Sequence, residues 1–396
     1  MRITVEACLW VSSVGILVPS AVLFVQCAVA FVVRVASPRA SSGARPRAAV
    51  LVPAHNEGAV IEGTLKVISA ELKSGDRVVV VADNCDDETA EVARSAGAEV
   101  VERRDPVNRG KGHALDYGVR HLATDPPEVV VVIDADCTLH EGSLDPLARL
   151  TRETGRPAQS KNVVAVPARG GSPIQVLSAF AFLVRNIVRP TGMARLGLPC
   201  PLMGTGMAFP WHTLQAAPLA SGSLAEDLEL GCDLALAGHP PVFCPTALVT
   251  SHMPGHRRAR DLQRRRWEQG HLAAAFSRAP RLVAGAVAQR RLDLALLAMD
   301  LCVPPLSLLI WFWVASAGAA CLGWVYLGIS GPALVLGLSG GLLLAALLMA
   351  WYRFGRDTCP PTVLLAAPIY LLKKAALYGG LLLDRERHWV RTHRDP

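Results

Sequence analysis

The sequence contains no Cys-x-x-Cys pair, although ten of its 396 residues are cysteine. The cysteines are scattered along the chain, which argues against the disulfide framework of a small secreted protein. Charged residues are also scarce, at 18%, whereas hydrophobic residues make up 51%. We therefore expect free thiols in a reducing compartment, and we expect part of the apolar surface to face lipid.

Charge is absent between Cys8 and Val33, where Gln26 is the only strongly polar residue. A stretch of this length can cross a hydrocarbon core of about 30 Å. A secretory signal peptide is the alternative, but the stretch is longer than a usual signal-peptide core and no clean small-residue cleavage site follows it. We therefore predict a retained transmembrane anchor over residues 1–36.

The C-terminal region, residues 291–396, contains three further apolar stretches. Leu294–Leu327 and Pro332–Trp351 are predicted to span the membrane, and Asp300 is expected to reach the interface from its place near a helix end. Thr362–Leu383 carries two adjacent lysines at its centre, which would be costly at mid-bilayer. We interpret this stretch as an amphipathic helix in the interface, followed by a cytosolic tail, with a fourth span as the alternative.

Basic residues follow the first span directly, and the positive-inside rule makes that side cytoplasmic. The polar middle of the chain, residues 45–290, is therefore predicted to be cytosolic, in an integral protein of the bacterial inner (plasma) membrane. A net charge of +7 could indicate a nucleic-acid partner. The positive charge is mostly close to the predicted spans, so we expect membrane lipids as the partner and no nucleic acid.

The polar middle alternates short β-branched runs with stretches of helical period. The expected strands are Ala48–Val52, Arg77–Val81, Glu99–Val101 and Val129–Ile133, and the expected helices are Gly58–Leu72, Asp87–Ala96 and Lys111–Leu122. This alternation predicts an α/β fold, with a parallel sheet that has helices on both faces. Ligands of such sheets bind beyond the carboxyl ends of the strands.

Polar residues follow three of these strands. The first strand ends in a segment with Pro53, Ala54 and Glu57, the second is followed by Asp83, and the fourth by Asp134-Ala135-Asp136. Each group alone could form a turn or cap a helix. Three strands that end in acids favour a metal- and nucleotide-binding site over simple turns or helix caps. Paired carboxylates can hold Mg²⁺ or Mn²⁺, and the cation can hold a nucleotide's phosphates.

Gly110-Lys111-Gly112 adds a cation and two glycines that allow the backbone to approach a phosphate. Cys85 and Cys137 lie beside candidate site residues, and we interpret both as small packing residues.

Two later motifs also have a simple structural interpretation. Glu226-Asp227 could be the acidic first turn of a helix over Leu228–Ala237, stabilised by the helix dipole. Gln263-Arg264-Arg265-Arg266-Trp267 could be a lipid-facing basic stripe that ends in an interfacial tryptophan.

In this order and spacing, however, the motifs resemble those of the family 2 inverting glycosyltransferases with a GT-A fold. The resemblance covers roughly Arg47 to His271 and is strongest to the membrane-embedded subgroup akin to cellulose, hyaluronan and poly-N-acetylglucosamine synthases. It implies a GT-A (Rossmann-like) nucleotide-sugar-binding domain flanked by transmembrane helices. Gln263-Arg264-Arg265-Arg266-Trp267, which matches Gln-x-x-Arg-Trp, is the most specific single motif.

The resemblance also implies a role for each site residue. Asp227 would be the catalytic base, and Asp136 with Asp134 would hold Mg²⁺ or Mn²⁺ against the diphosphate. The implied donor-site residues are Pro53, Ala54, Glu57, Asp83, Lys111, Asp134, Asp136, Gln263, Arg266 and Trp267, and the implied acceptor-site residues are Glu226, Gly204, Thr205 and Trp267. The implied partners are a nucleotide-diphosphate sugar, expected to be a UDP-sugar, a carbohydrate or lipid acceptor, and a second copy of the chain or export proteins.

Two departures from the family pattern concern the acceptor side. Ala225 stands where related sequences often have threonine, and Ser251-His252-Met253-Pro254 replaces a more usual Glu-x-Pro. Neither departure removes a proposed catalytic group. Two alternatives stay open. One is the transfer of a single sugar to a polyprenyl phosphate or another lipid, and the other is a catalytically silent nucleotide-binding component of a polysaccharide export complex.

Overall fold

The computed structural model describes residues 2–33, 44–165, 172–253 and 257–383. These residues form two compact units. The α/β unit comprises residues 44–165, 198–253 and 257–274, and the apolar helical unit comprises residues 2–33, 172–197 and 275–383.

The described residues contain eight strands and fifteen α-helices. The strands are β1 Ala48–Ala54, β2 Arg77–Asp83, β3 Glu99–Arg103, β4 Val129–Val132, β5 Cys137–Leu139, β6 Ala158–Val164, β7 Met207–Pro210 and β8 Val242–Ser251. The helices are α1 Arg2–Val32, α2 Gly58–Glu71, α3 Thr89–Ser95, α4 Lys111–Leu122, α5 Leu144–Thr154, α6 Pro173–Leu183, α7 Arg189–Arg195, α8 Trp211–Gln215, α9 Glu226–Leu236, α10 Arg257–Gln289, α11 Leu292–Leu301, α12 Leu306–Leu327, α13 Gly331–Ala350, α14 Pro361–Leu364 and α15 Ala367–Leu383. Two π-helical turns, Val184–Val188 and Trp351–Gly355, follow α6 and α13.

The α/β unit is built on one mixed sheet with the strand order β3-β2-β1-β4-β7-β6-β8-β5. The predicted α/β class is confirmed, and β1 to β4 pair in parallel as expected. The prediction of a wholly parallel sheet is wrong, because β7 runs antiparallel to both β4 and β6. The carboxyl ends of β1, β2 and β4 nevertheless lie at one edge of the sheet, where the candidate acids were expected.

Both faces of the sheet are covered, as the β-branched strands predict. Along β1, Val50 and Val52 pack into the cluster that contains Ile61 and Leu65 of α2. Leu51 points to the opposite face and joins the cluster that contains Leu115, Val119 and Leu122 of α4. Each such buried side chain stabilises the fold by about 1.5–3 kcal/mol, which fixes the strands whose ends carry the site.

Three described helices are long and apolar enough to cross a membrane: α1, α12, and α13 with its π-helical turn, Gly331–Gly355. The predicted single span over Leu294–Leu327 is wrong in its extent, because the chain breaks between α11 and α12 at Pro304-Pro305. Proline lacks the N–H that would continue the helix. The side of the membrane on which each segment lies stays a prediction.

A buried polar cluster lies inside the apolar unit and changes the interpretation of Asp300, which is only 3% exposed. Arg189 Nη2 donates to Asp300 Oδ1 at 2.8 Å, and Gln26 Nε2 donates to the same oxygen at 2.7 Å. Arg189 Nε donates to Gln26 Oε1 at 3.1 Å. The expectation that Asp300 reaches the interface is therefore wrong, since its charge is compensated inside the unit.

The ten cysteines all lie in the described part of the chain and form no disulfide bond there, as the scattered spacing predicts. Cys85 and Cys137 are both buried. Cys85 Sγ contacts the backbone oxygen of Ala54 at 3.5 Å and the backbone nitrogen of Asn56 at 3.4 Å, so its thiol packs between the ends of β1 and β2.

Candidate active site

The ends of β1 and β2 form one wall of the candidate site, and two asparagines shape it. Asn56 and Asn84 adopt left-handed backbone conformations, with φ of 54° and 52°. Asparagine tolerates this region better than most residues. The side-chain oxygen of Asn56 accepts from Asp86 N at 2.7 Å, and that of Asn84 accepts from Asp105 N at 2.8 Å. The two turns are therefore fixed by side-chain hydrogen bonds.

Pro53, Ala54 and Glu57 lie where they were predicted, at the end of β1. Ala54 is buried in the core beneath the sheet edge. Glu57 N donates to the Thr89 hydroxyl at 2.8 Å, and the Glu57 carbonyl accepts the first helical bond of α2. These contacts place the backbone of the segment at the sheet edge.

Asp83 ends β2 and forms a buried ion pair with Arg103, the last residue of β3. Arg103 Nη1 lies 2.6 Å from Asp83 Oδ1, and both side chains are 9% exposed. Arg103 Nη2 also donates to Asp105 Oδ2 at 3.0 Å and to the carbonyl of Asn108 at 2.7 Å. Arg103 was not predicted as a site residue, because the expected third strand ended at Val101. The strand register, which pairs Asp83 with Arg103, could have revealed the pair.

Lys111, the first residue of α4, forms an ion pair with Asp134 Oδ1 and donates to the carbonyl of Gly204 at 2.7 Å. Burial alone would lower the pKa of Lys111. The carboxylates around it, Asp134 first and then Glu226 and Asp227, outweigh burial and raise the pKa. Lys111 therefore stays a cation at neutral pH.

Asp134 and Asp136 follow β4 and are both half-buried. Burial raises the pKa of Asp134, opposed by Lys111 and reinforced by Asp136. One ligand atom from each of Asp134, Asp136 and Cys137 lies within 4.8 Å of the others. Burial and the neighbouring acids raise the pKa of the Cys137 thiol well above its ordinary value, so it is not a thiolate. The two carboxylates are the hard donors that suit Mg²⁺ or Mn²⁺.

Glu226, Asp227 and Glu229 all lie in the first turn of α9. A Cβ atom built on Gly204 would lie 3.4 Å from Asp227 Oδ2 and 3.7 Å from Lys111 Nζ, so these two groups converge on Gly204. Burial, followed by the charge of Asp227, raises the pKa of Glu226 to about 7. The predicted helix therefore begins two residues earlier than Leu228 and contains both acids.

The loop that carries Gly204 and Thr205 is tightly held. Gly204 and Gly206 have φ of 86° and 66°, a region that favours glycine. Thr205 is 2% exposed, and its hydroxyl accepts from Asp134 N at 3.1 Å. The side chain of Thr205 thus supports the end of β4.

Gln263, Arg266 and Trp267 lie half-buried in the first turns of α10. Further along this helix, a Cβ atom on Gly270 would lie 2.9 Å from the carbonyl of Leu224. Ala274 packs with Ala225 and Leu228 around the start of α9. Residues 263, 266, 267, 270 and 274 follow helical spacing along one face. Gln263 and Arg266 therefore lie on the same face of α10 as Gly270 and Ala274, which pack beside Glu226-Asp227.

Comparison with known proteins assigns the family. Residues 46–270, more than half of the chain, match the model of the glycosyltransferase-like family 2. The chain belongs to this family.

Similarity to individual relatives is local. The chain is 40% identical to an uncharacterised glycosyltransferase of Mycobacterium bovis over 98 residues. This aligned segment covers 25% of this chain and 40% of that protein. The chain is also 39% identical to the 4,4'-diaponeurosporenoate glycosyltransferase of Staphylococcus aureus over 92 residues. This aligned segment covers 22% of this chain and 24% of that protein.

One solved structure is similar along nearly the whole chain. It is a mannosyltransferase of Pyrobaculum calidifontis in complex with GDP-Man and Mn²⁺. The alignment covers 98% of this chain and 100% of that chain, with a TM-score of 0.57 and 20% sequence identity. This similarity supports the GT-A-like fold of the α/β unit.

Proposed function

We propose that this protein is a membrane-bound glycosyltransferase that transfers a sugar, with inversion, from a UDP-sugar to a polysaccharide or lipid-linked acceptor. The finer assignment to the subgroup akin to cellulose, hyaluronan and poly-N-acetylglucosamine synthases is part of this proposal. We also propose that residues 45–290 lie in the cytosol and that the protein associates with further copies of itself or with export proteins. The roles of the individual residues belong to the same proposal.

The convergence of Lys111, Asp134 and Asp227 around Gly204 carries the proposal. These residues come from the start of α4, the end of β4 and the start of α9. Lys111 Nζ bonds both Asp134 and Gly204, and Asp227 Oδ2 faces the same glycine. A cation suited to a phosphate, a carboxylate suited to a divalent metal and a candidate base lie around this glycine, and this supports sugar transfer from a nucleotide diphosphate.

Each group would have a separate task. Asp227 would accept the proton of the acceptor hydroxyl as that oxygen attacks the anomeric carbon from the face opposite the leaving group. Lys111 and Arg266 would neutralise charge on the departing diphosphate. Asp134 and Asp136 would hold Mg²⁺ or Mn²⁺, which when bound supplies Lewis-acid stabilisation of that diphosphate. Trp267 would offer an aromatic face to a sugar ring beside Gln263.

The contacts of Asp83 support uracil as the base. The hydrogen bonds that Arg103 Nη1 and Asn84 Nδ2 donate to Asp83 both end on Oδ1, at 2.6 and 2.9 Å. Oδ2 is then suited to accept one N–H, and uracil offers one at N3. Guanine presents two neighbouring N–H groups that match both oxygens of a carboxylate. The mannosyltransferase of similar fold is bound to GDP-Man, so a guanine nucleotide is the alternative donor to set against a UDP-sugar.

A single-sugar transfer to a lipid is the second candidate. Three described helices can cross a membrane, which is few for a one-chain polysaccharide channel. One relative acts, by its name, on 4,4'-diaponeurosporenoate.

A donor screen tests the proposal. Membranes that contain the protein would be incubated with radiolabelled UDP-glucose, UDP-N-acetylglucosamine or GDP-mannose, with Mg²⁺ or Mn²⁺ and with a chelator in parallel, and the products would be sized. We expect metal-dependent labelling of a product from a UDP-sugar. Labelling from GDP-mannose alone would contradict the assignment of Asp83 to uracil binding. Absence of transfer from every donor would contradict the proposed sugar-transfer activity. A product larger than one added sugar would favour the polymerase over single transfer.

A further inference from the structure

Gln159 lies on β6 and takes no part in the chemistry described above. Its side chain is fully buried, at 0% exposure. Both ends of the amide are nevertheless used. Oε1 accepts from Met203 N at 2.8 Å, and Nε2 donates to the carbonyl of Thr205 at 2.9 Å. One side chain thus bonds the backbone on each side of Gly204.

Gly204 is the point at which the candidate catalytic groups meet. Its carbonyl accepts from Lys111 Nζ at 2.7 Å, and its Cα faces Asp227 Oδ2. The next residue, Thr205, accepts the backbone N–H of Asp134. Because glycine is free to adopt many backbone conformations, hydrogen bonds from outside the loop help to hold Gly204 in the one arrangement seen, with φ of 86°.

The strand that carries Gln159 is itself well anchored. Ser160 N donates to the carbonyl of Gly206 at 2.8 Å, and Gly206 N donates to the carbonyl of Val132 in β4 at 2.9 Å. The amide of Gln159 therefore extends from a rigid sheet into the loop. Glutamine suits this place because one group supplies a donor and an acceptor without a charge.

We propose that Gln159 is a positioning residue, which fixes the Gly204 loop so that the acceptor hydroxyl, rather than water, reaches the donor sugar in line with Asp227. This inference rests on the proposed transferase function and adds a residue to it. Gln159 acts through the backbone at Met203 and Thr205 and touches no reacting atom. Productive attack by a bound hydroxyl depends on alignment to well under 1 Å, whereas a small water molecule can approach in many orientations.

The test compares Gln159→Met with Ser160→Ala in membranes of the full-length protein. Methionine keeps the length of the side chain and removes every hydrogen bond of the amide, including those to Met203 and Thr205. Ser160 is the matched control, since it is equally buried on the same strand and its hydroxyl has no hydrogen-bond partner among the described residues. Gln159→Glu is the second variant, because it retains the acceptor for Met203 N if the methionine variant fails to fold.

The readout is the ratio of free sugar released to sugar transferred, with the UDP-sugar that gives most product in the donor screen. Transfer is also expressed per UDP-binding site, so that a smaller amount of folded protein does not alter the result. We expect Gln159→Met to raise the ratio by about tenfold or more and to lower transfer per site by about 10- to 100-fold. Gln159→Glu should change both quantities in the same direction, and Ser160→Ala should stay within about twofold of the parent.

A ratio and a transfer rate per site within about twofold of the parent in Gln159→Met would overturn the proposal, as would an equal change in Ser160→Ala. Absence of transfer by the parent protein would instead overturn the function on which it rests, so the two failures are distinguishable.

Discussion

Lys111 is surrounded by more negative charge than it can neutralise. One ammonium group faces the carboxylates of Asp134, Glu226 and Asp227, and Asp136 adds a further carboxylate beside Asp134. Burial is the main reason why the pKa of both Asp134 and Glu226 is raised, and the like charges beside them raise it further. A divalent cation beside Asp134 and Asp136 would relieve this excess.

Glu226 should make the stability of the metal-free and nucleotide-free protein depend on pH. Its pKa is about 7 in the folded state, against 4.5 for an ordinary glutamate. Because the folded state holds the proton more tightly, this contribution to stability is complete below about pH 4.5 and is lost as the pH rises through 7. The loss would be on the order of 3 kcal/mol. Glu226→Gln should therefore flatten the fall in Tm between pH 5 and 8, as measured by tryptophan fluorescence in detergent.

Glu229→Gln, on the same helix, serves as the control for this prediction. A Tm profile of Glu226→Gln that falls as steeply as that of the parent would show that Glu226 titrates as an ordinary glutamate.

At the scale of elements, the packing of α10 against the start of α9 determines where Glu226-Asp227 lie. Gly270 allows the contact, because a Cβ atom there would approach the carbonyl of Leu224 to 2.9 Å. Gly63, on α2, has no atom within 4 Å of the corresponding position. The two glycines are both helical, so they form a matched pair.

Gly270→Ala should displace α10 from Leu224 and lower sugar transfer by about 10- to 100-fold, since small displacements at a reacting centre are costly. Gly63→Ala should leave transfer unchanged, with the slight gain in stability that alanine brings to a helix. Transfer rates per UDP-binding site measure both. Equal activity of Gly270→Ala and the parent would mean that this contact does not position the acids.

The sequence predicts some elements well for a physical reason. The strands β1, β2 and β4 are apolar, valine-rich runs that bury both faces, and they alternate with helices, so their pattern is unambiguous. The strand β6 was not predicted, because its buried residues Gln159, Ser160 and Asn162 are polar and show no apolar alternation. Gln159 and Asn162 form side-chain hydrogen bonds to residues distant in the sequence, Met203, Thr205 and Ser251, and no local pattern reveals these bonds.

At the scale of the whole chain, the sequence does not reveal which charged side chains pair with each other. The acids at the strand ends could be predicted from the sequence, whereas the ion pair of Asp83 with Arg103 and that of Asp300 with Arg189 could not. Asp300 and Arg189 are 111 residues apart. A single charge in an apolar stretch suggests a place at the interface until its partner is known, because a buried pair costs much less than an unpaired charge.

The same long-range assembly brings Asp227 to Lys111 and Asp134, and the proposed chemistry depends on it. The most direct test is the rate of sugar transfer per UDP-binding site in Asp227→Asn, with Asp233→Asn on the same helix as the control. Loss of the base should lower transfer by at least about 100-fold, while UDP binding stays within about threefold of the parent. The control should transfer at the parental rate. Undiminished transfer by Asp227→Asn would contradict the assignment of Asp227 as the base.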